Sequence, residues 1–275
     1  MNSATARILS IVGMHRSGTS LITNWLASCG LYIGDDLIPS HPTNLAGHFE
    51  DKSFVRLHRR ILAENKVDFL VTRHNSITVN SKYFAQAKEL VHKNRKHAQW
   101  GWKDPRTALF LEFWKSIQPG LKILAVYRPF TQVVDSLLRR EPLRPEIKRG
   151  VPNGLRWTLK VKYSFFNVPL LRFFLCVWDH YNNNIISFAR KYPHDCLVIR
   201  IDDPAPYSRQ IIDFMKREWN FSLEHGGLRD IYVPGLLKVD LLKGKRVLLS
   251  LLYSKCLDTY RKLEELRRQS LQRLS

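Results

Sequence analysis

Eight residues near the start, Gly13-Met14-His15-Arg16-Ser17-Gly18-Thr19-Ser20, hold two glycines, one guanidinium and three hydroxyls. A tetrahedral anion needs such donors, and a helix start adds unpaired backbone N–H groups and partial positive charge. The glycines stand as in G-x-x-x-x-G, but the position after Gly18 holds Thr19 in place of the lysine of a Walker loop. The loop can therefore cradle an anion, yet it lacks the side chain that reaches the terminal phosphates of ATP. The alternative for these residues alone is an ordinary strand-to-helix turn that uses small polar residues.

A second anion candidate is Arg128-Pro-Phe-Thr-Gln-Val-Val-Asp-Ser136. Arginine presents a planar fork that matches phosphate, and serine adds one donor. Eight helical residues separate the two groups by roughly 12 Å along an axis, so a phosphate between them needs an extended arginine. Two further stretches concentrate titratable groups: His48-Phe-Glu50-Asp51 and Trp102-Lys103-Asp104-Pro105-Arg106.

The elements around these stretches read as alternating strands and helices. Arg7 to Val12 is a short apolar run that breaks at Gly13, and Leu21, Ile22, Trp25, Leu26 and Cys29 continue at helical spacing. Helices are predicted with Phe54, Leu57, Ile61 and Leu62 on one side, over Ser81 to Asn94 with Ser81 as cap, and from Thr107 to Ile117. Leu121 to Tyr127 is the clearest interior strand, and Pro129 suits the first position of the helix after it. Leu170 to Tyr192, the strand Cys196 to Ile201 and the helix Pro204 to Trp219 follow. Such alternation predicts an α/β fold of three layers, a central parallel sheet flanked by helices, with ligands at the carboxyl ends of the strands. The 275 residues are expected to form a single domain, with a basic amphipathic C-terminal helix over about 239–272 that docks on the core by default.

Lys and Arg number 44 against 24 Asp and Glu, a net charge of +20, which calls for an anionic partner. Cys29, Cys176, Cys196 and Cys256 are scattered, which suggests free thiols in a reducing compartment. The N-terminus lacks a signal-peptide design, and the apolar segment 165–178 is interrupted by Asn167, Pro169 and Arg172 and too short to span a bilayer. A cytoplasmic protein is expected, peripheral membrane association being open.

Taken together, the two anion motifs resemble those of the sulfotransferases that use 3′-phosphoadenosine 5′-phosphosulfate (PAPS). Arg16-Ser17-Gly18-Thr19-Ser20 is similar to the family's P-loop-like first motif. Arg128 with Ser136 is similar to its second, and Lys103-Asp104-Pro105-Arg106 to a segment of bacterial members. The resemblance covers roughly 7–140 plus 177–201 and lies nearer to the bacterial and carbohydrate branches than to the cytosolic phenol and hormone branch. It departs from the family in having Arg16 where many members have Lys, in the early Pro129, and in lacking the glycine-rich C-terminal cofactor motif.

The resemblance implies an enzyme that moves a sulfuryl group in line from PAPS to an acceptor hydroxyl, expected on a carbohydrate or glycolipid, and releases adenosine 3′,5′-bisphosphate. No metal is expected, and nucleic acid is disfavoured as a partner. Arg16, Ser17, Gly18, Thr19 and Ser20 would hold the 5′-phosphosulfate, and Arg128 and Ser136 the 3′-phosphate. Glu50 is the first candidate for the base and His48 the second, while Asp51 starts a helix; the plainer alternative is that Glu50 and Asp51 only complement a helix dipole. Lys103 would stabilise charge on the bridging oxygen, with Asp104 positioning it, and Arg106 would assist the 3′-phosphate or pair with Asp104. His15 is expected to pack within the loop or beside the cofactor. Two rivals stay open: a P-loop nucleotide kinase or NTPase, and a non-catalytic basic module that binds polyanions or membranes.

Overall fold

The computed structural model describes residues 6–39, 47–138, 149–156, 168–228 and 254–275. Four strands, β1 (Arg7–Val12), β2 (Gln99–Lys103), β3 (Lys122–Tyr127) and β4 (Cys196–Arg200), form one sheet in the order β2-β1-β3-β4. Every pairing is parallel, with Ile11 beside Lys103, Val12 beside Ala125 and Tyr127 beside Arg200. The chain leaves β1 toward β2 on one side and leaves β3 toward β4 on the other. The carboxyl ends of the adjacent strands β1 and β3 are thus a topological switch point, where open α/β sheets bind ligands.

Strand alternation sends Ile8 and Val12 to one face and Leu9 and Ile11 to the other, so each face carries its own core. Helices α1 (Thr19–Ser28) and α7 (Pro204–Trp219) cover the second face through Ile22, Trp25, Leu26, Ile211 and Phe214. The first face is covered by α2 (Lys52–Glu64), α3 (Ser81–Asn94), α4 (Leu111–Ile117), α5 (Phe130–Leu138), α6 (Val168–Lys191) and α8 (Ser254–Gln272). This is the three-layer parallel architecture that the alternation predicts.

Boundaries differ from expectation at three places, each for a local reason. Asn80, not Ser81, caps α3, its side chain accepting the Lys82 N–H at 3.1 Å. Pro129 lies just before α5 and its carbonyl accepts the first N–H groups, from Gln132 and Val133. The expected helix from Thr107 is divided: Pro105–Leu109 is a short 3₁₀ turn capped by Asp104, and α4 begins only after Phe110.

The C-terminal helix docks on the core, its Cys256, Leu263 and Leu266 buried. The part of the expected helix at 239–253 lies outside the described residues. So do Arg139, Arg140, Arg144, Lys148, Phe165 and Phe166. Helix α8 also closes the outer edge of β4, where Ser270 Oγ accepts the Val198 N–H at 3.0 Å. Ser270→Ala is expected to cost about 1–3 kcal/mol by leaving that buried N–H without a partner, read from the urea midpoint. A change under a few tenths would mean that the helix end does not seal the strand. Among the described residues, Cys29, Cys196 and Cys256 are buried free thiols, and no helix is long and apolar enough to cross a membrane.

Candidate active site

The first loop joins the end of β1 to the start of α1 at the switch point. A Cβ on Gly13 would sit 2.2 Å from the Val126 carbonyl oxygen, so only glycine lets the loop leave between β1 and β3. Gly18 precedes α1 with φ +88°, a left-handed conformation that glycine adopts without strain, and no side chain caps this helix. Arg16 also has positive φ, 73°, where a side chain costs of order 1–3 kcal/mol. Ser17 Oγ is buried and, among the described residues, has no hydrogen-bond partner. An uncapped helix start, a strained arginine and an orphaned buried hydroxyl suit an anion that would satisfy them together.

Arg16 Nε donates to Ser136 Oγ, the second-motif serine, at 2.9 Å. Arg128 turns back toward the same loop: Nη1 reaches the Arg16 carbonyl at 3.4 Å and Nε donates to Gln132 Oε1 at 2.9 Å. Trp178 Nε1 fixes the Arg128 carbonyl at 3.1 Å. The two motifs, 120 residues apart for Arg16 and Ser136, are therefore contiguous. Arg16 thus touches both second-motif residues, Ser136 through its side chain and Arg128 through its carbonyl.

The third group is attached to the same rim. Ser20 Oγ donates to the His48 carbonyl at 3.3 Å, tying α1 to the segment that carries Glu50. Asp51 caps α2, accepting the Ser53 N–H at 2.7 Å, which is the helix-start role read for it. Glu50 is only 7% exposed and points instead to the end of β2, where Lys103 Nζ meets its Oε1 at 2.8 Å. Arg106 Nη1 lies 2.7 Å from Asp104 Oδ1 and 3.8 Å from Glu50 Oε2. Of the two uses open for Arg106, the structure shows the pairing with Asp104.

Burial works against ionising Asp104, yet Arg106 and the hydrogen bonds from His58 and the Arg106 amide outweigh it and hold the carboxyl well below the usual carboxylate range. Burial likewise opposes the charge on Arg106, which Asp104 and Glu50 retain. Four charged side chains that water hardly reaches thus alternate in sign, each beside a partner of opposite charge. His15 packs its ring on Phe69 with centroids 4.6 Å apart and on the edge of Tyr181, the loop-packing role expected of it. Trp178 and Tyr181 are core residues.

No family model and no curated protein matches the chain. Among solved structures, the sulfotransferase domain from the curacin biosynthetic pathway is similar over 94% of this chain and 98% of that one, with a TM-score of 0.51 at 16% sequence identity. The chain has a sulfotransferase fold. Sulfotransferase STF1 from Mycobacterium tuberculosis H37Rv aligns with 93% of this chain and 77% of its own, at 12% identity and a TM-score of 0.46. Within that fold, hydrogen bonds join Arg16 to Ser136 and to Arg128, Ser20 to the His48 carbonyl, and Lys103 to Glu50, while Ser17, Gly18 and Thr19 lie on the loop between Arg16 and Ser20.

Two participants escaped the sequence reading. Gln132, one helical turn beyond Arg128, orients that guanidinium. His58, on α2, donates to Asp104. Both had a legible sign: Gln132 stands at i+4 from Arg128, and His58 at i+4 from Phe54 and i−3 from Ile61, on the apolar stripe of its helix.

Proposed function

We propose that the protein transfers the sulfuryl group of PAPS to a hydroxyl acceptor, of the carbohydrate or glycolipid class. The observation that carries the reading is the bridge from Arg16 to Ser136 with Arg128 turned onto the same loop, because it sets two guanidinium groups and a hydroxyl side by side, an arrangement that suits a ligand with an anion at each end. A nucleotide phosphorylated at both 3′ and 5′ positions has that charge distribution, whereas ATP concentrates its charge at one end. The Thr19 hydroxyl in place of a Walker lysine argues the same way against a kinase or NTPase.

The donor supplies an activated sulfuryl group on a phosphate leaving group, and the chain supplies position and charge. Ser17, Gly18, Thr19 and Ser20 would hold the 5′ end by hydroxyls and the amides of the α1 start, with Arg16 beside them. Arg128 and Ser136 would hold the 3′-phosphate. Lys103 would neutralise charge on the bridging oxygen. Glu50 keeps Oε1 on Lys103, which leaves Oε2 to take the acceptor proton; His48 is the second candidate.

Differential melting tests the reading. Adenosine 3′,5′-bisphosphate at a hundred times its Kd is expected to raise Tm by about 5–10 °C, since ligand bound to the folded state adds about 2.7 kcal/mol. 5′-AMP and ATP with Mg²⁺ at the same concentration should shift it far less. Equal shifts by all three would refute a dedicated 3′-phosphate site.

A further inference from the structure

His58 is fully buried, lies outside the cofactor cradle and has both ring nitrogens engaged. Trp114 Nε1 lies 2.8 Å from His58 Nε2, and an indole N–H can only donate. Nε2 is therefore an acceptor, the ring proton sits on Nδ1, and Nδ1 donates to Asp104 Oδ2 at 2.8 Å. The tautomer is set by a partner that cannot accept. Phe110 stacks on the ring at 5.2 Å and 11°, and Trp114 meets it edge-on at 5.7 Å, so the imidazole is clamped on its faces as well as its ends.

The donation matters because of what Asp104 does with its other oxygen. Oδ1 accepts the Arg106 amide at 3.0 Å and Arg106 Nη1 at 2.7 Å. The same Nη1 lies 3.8 Å from Glu50 Oε2, the oxygen that Lys103 does not hold. An unbroken line thus runs from Trp114 through His58, Asp104 and Arg106 to Glu50. We propose that His58 is a positioning residue: by satisfying Asp104 Oδ2 it keeps the Arg106 guanidinium on Oδ1 and facing Glu50, and so sets the charge environment of the base. This rests on the reading of Glu50 as that base.

The sign of the effect follows from the geometry. Without the His58 donor, Asp104 Oδ2 is an unsatisfied buried carboxylate oxygen, and Arg106 is the nearest donor that can rotate to fill it. Rotation draws positive charge from Glu50. The charged groups facing Glu50 are Lys103 from the end of β2 and Arg106 from the 3₁₀ turn; those facing Arg106 are Asp104 and, from α6, the buried Tyr181 phenol. With Arg106 displaced, Glu50 keeps its proton to higher pH.

An asparagine–glutamine contrast separates positioning from packing. His58→Asn sets an amide N–H where Nδ1 was and restores the donor to Asp104. His58→Gln sets its amide near Nε2, facing Trp114, and leaves Asp104 Oδ2 bare. Both variants are checked for folding by circular dichroism and melting, with His58→Leu as a third. The ¹³C shift of the Glu50 carboxyl is then followed against pH in each, a readout that needs no activity. The Glu50 midpoint is expected to rise in His58→Gln and His58→Leu and to return toward wild type in His58→Asn.

Conversion of PAPS with water as acceptor is the second readout. There the water oxygen bonds to sulfur, the sulfur–oxygen bond to the phosphate breaks, and the water proton passes to Glu50. In His58→Gln the rising limb of the kcat–pH profile is expected to move to higher pH together with the Glu50 midpoint, at little change in KM for PAPS. An unchanged Glu50 midpoint in folded His58→Gln overturns the proposal. A shifted midpoint in a chain that neither binds adenosine 3′,5′-bisphosphate nor converts PAPS upholds the positioning role and refutes sulfuryl transfer instead.

Discussion

Arg128→Ala is expected to abolish the preference for adenosine 3′,5′-bisphosphate over 5′-AMP while leaving 5′-AMP binding nearly unchanged. Arg128 is 5% exposed and already oriented: Gln132 holds its Nε, the Arg16 carbonyl meets Nη1, and Trp178 pins its own carbonyl. The guanidinium therefore loses little further freedom on binding, and its charge works in surroundings largely closed to water. Removing one partner from a buried, hydrogen-bonded charge pair costs about 2–5 kcal/mol, or roughly 30- to 5,000-fold in affinity. Titration calorimetry with the two nucleotides reads the difference directly. Arg128→Lys should recover only part of the preference, since an ammonium keeps the charge but loses the fork. If alanine weakens both nucleotides equally, Arg128 braces the loop and does not read the 3′-phosphate.

The anion loops were legible because each is local. β1, Gly13, Gly18 and the helical spacing of α1 occupy consecutive residues, and Arg128 with Ser136 lies on a single strand–helix unit. Strands β1, β3 and β4 were legible within a residue or two, since unbroken apolar runs leave few other choices for a buried segment. What the sequence hid was how these units meet. The Arg16–Ser136 bond depends on β1 and β3 being neighbours, a fact of topology that no periodicity records. Lys103 read as a stabilising cation with no sign of its partner, and its 2% exposure follows from Glu50 arriving from a segment 53 residues earlier. His58 was obscured by its neighbours: Arg59 and Arg60 give the stretch a solvent-facing look, while the residue itself belongs to the buried stripe. The division at Phe110 was hidden for a different reason. Asp104 and Pro105 favour a tight turn that spends the first residues of an otherwise helical pattern.

Asp104→Ala is expected to cost about 3–5 kcal/mol at pH 7, the usual penalty for removing one partner of a buried ion pair. The loss would strand three donors at once: Arg106 Nη1, the Arg106 amide and His58 Nδ1. Asp104→Asn keeps the volume and isolates the charge. Because the folded state holds the Asp104 carboxyl below its ordinary value, the unfolded chain takes up that proton first as pH falls. The stabilisation is thus fully present above about pH 4, near the ordinary carboxylate pKa, and is lost progressively below it. Urea denaturation at pH 7 and pH 3 should show the gap between wild type and Asp104→Asn narrowing at the lower pH. Some acid sensitivity remains in the variant, since Asp195, held by Lys115 and Lys122 against its partial burial, and Glu264, held chiefly by Tyr127 and Tyr260 against its own, are also shifted down. A gap of the same size at both pH values would mean that shape and hydrogen bonding, not ionisation, make Asp104 stabilising. The alternating line of charges would then be neutral at its centre, and Arg106 would have to draw its counter-charge from Glu50.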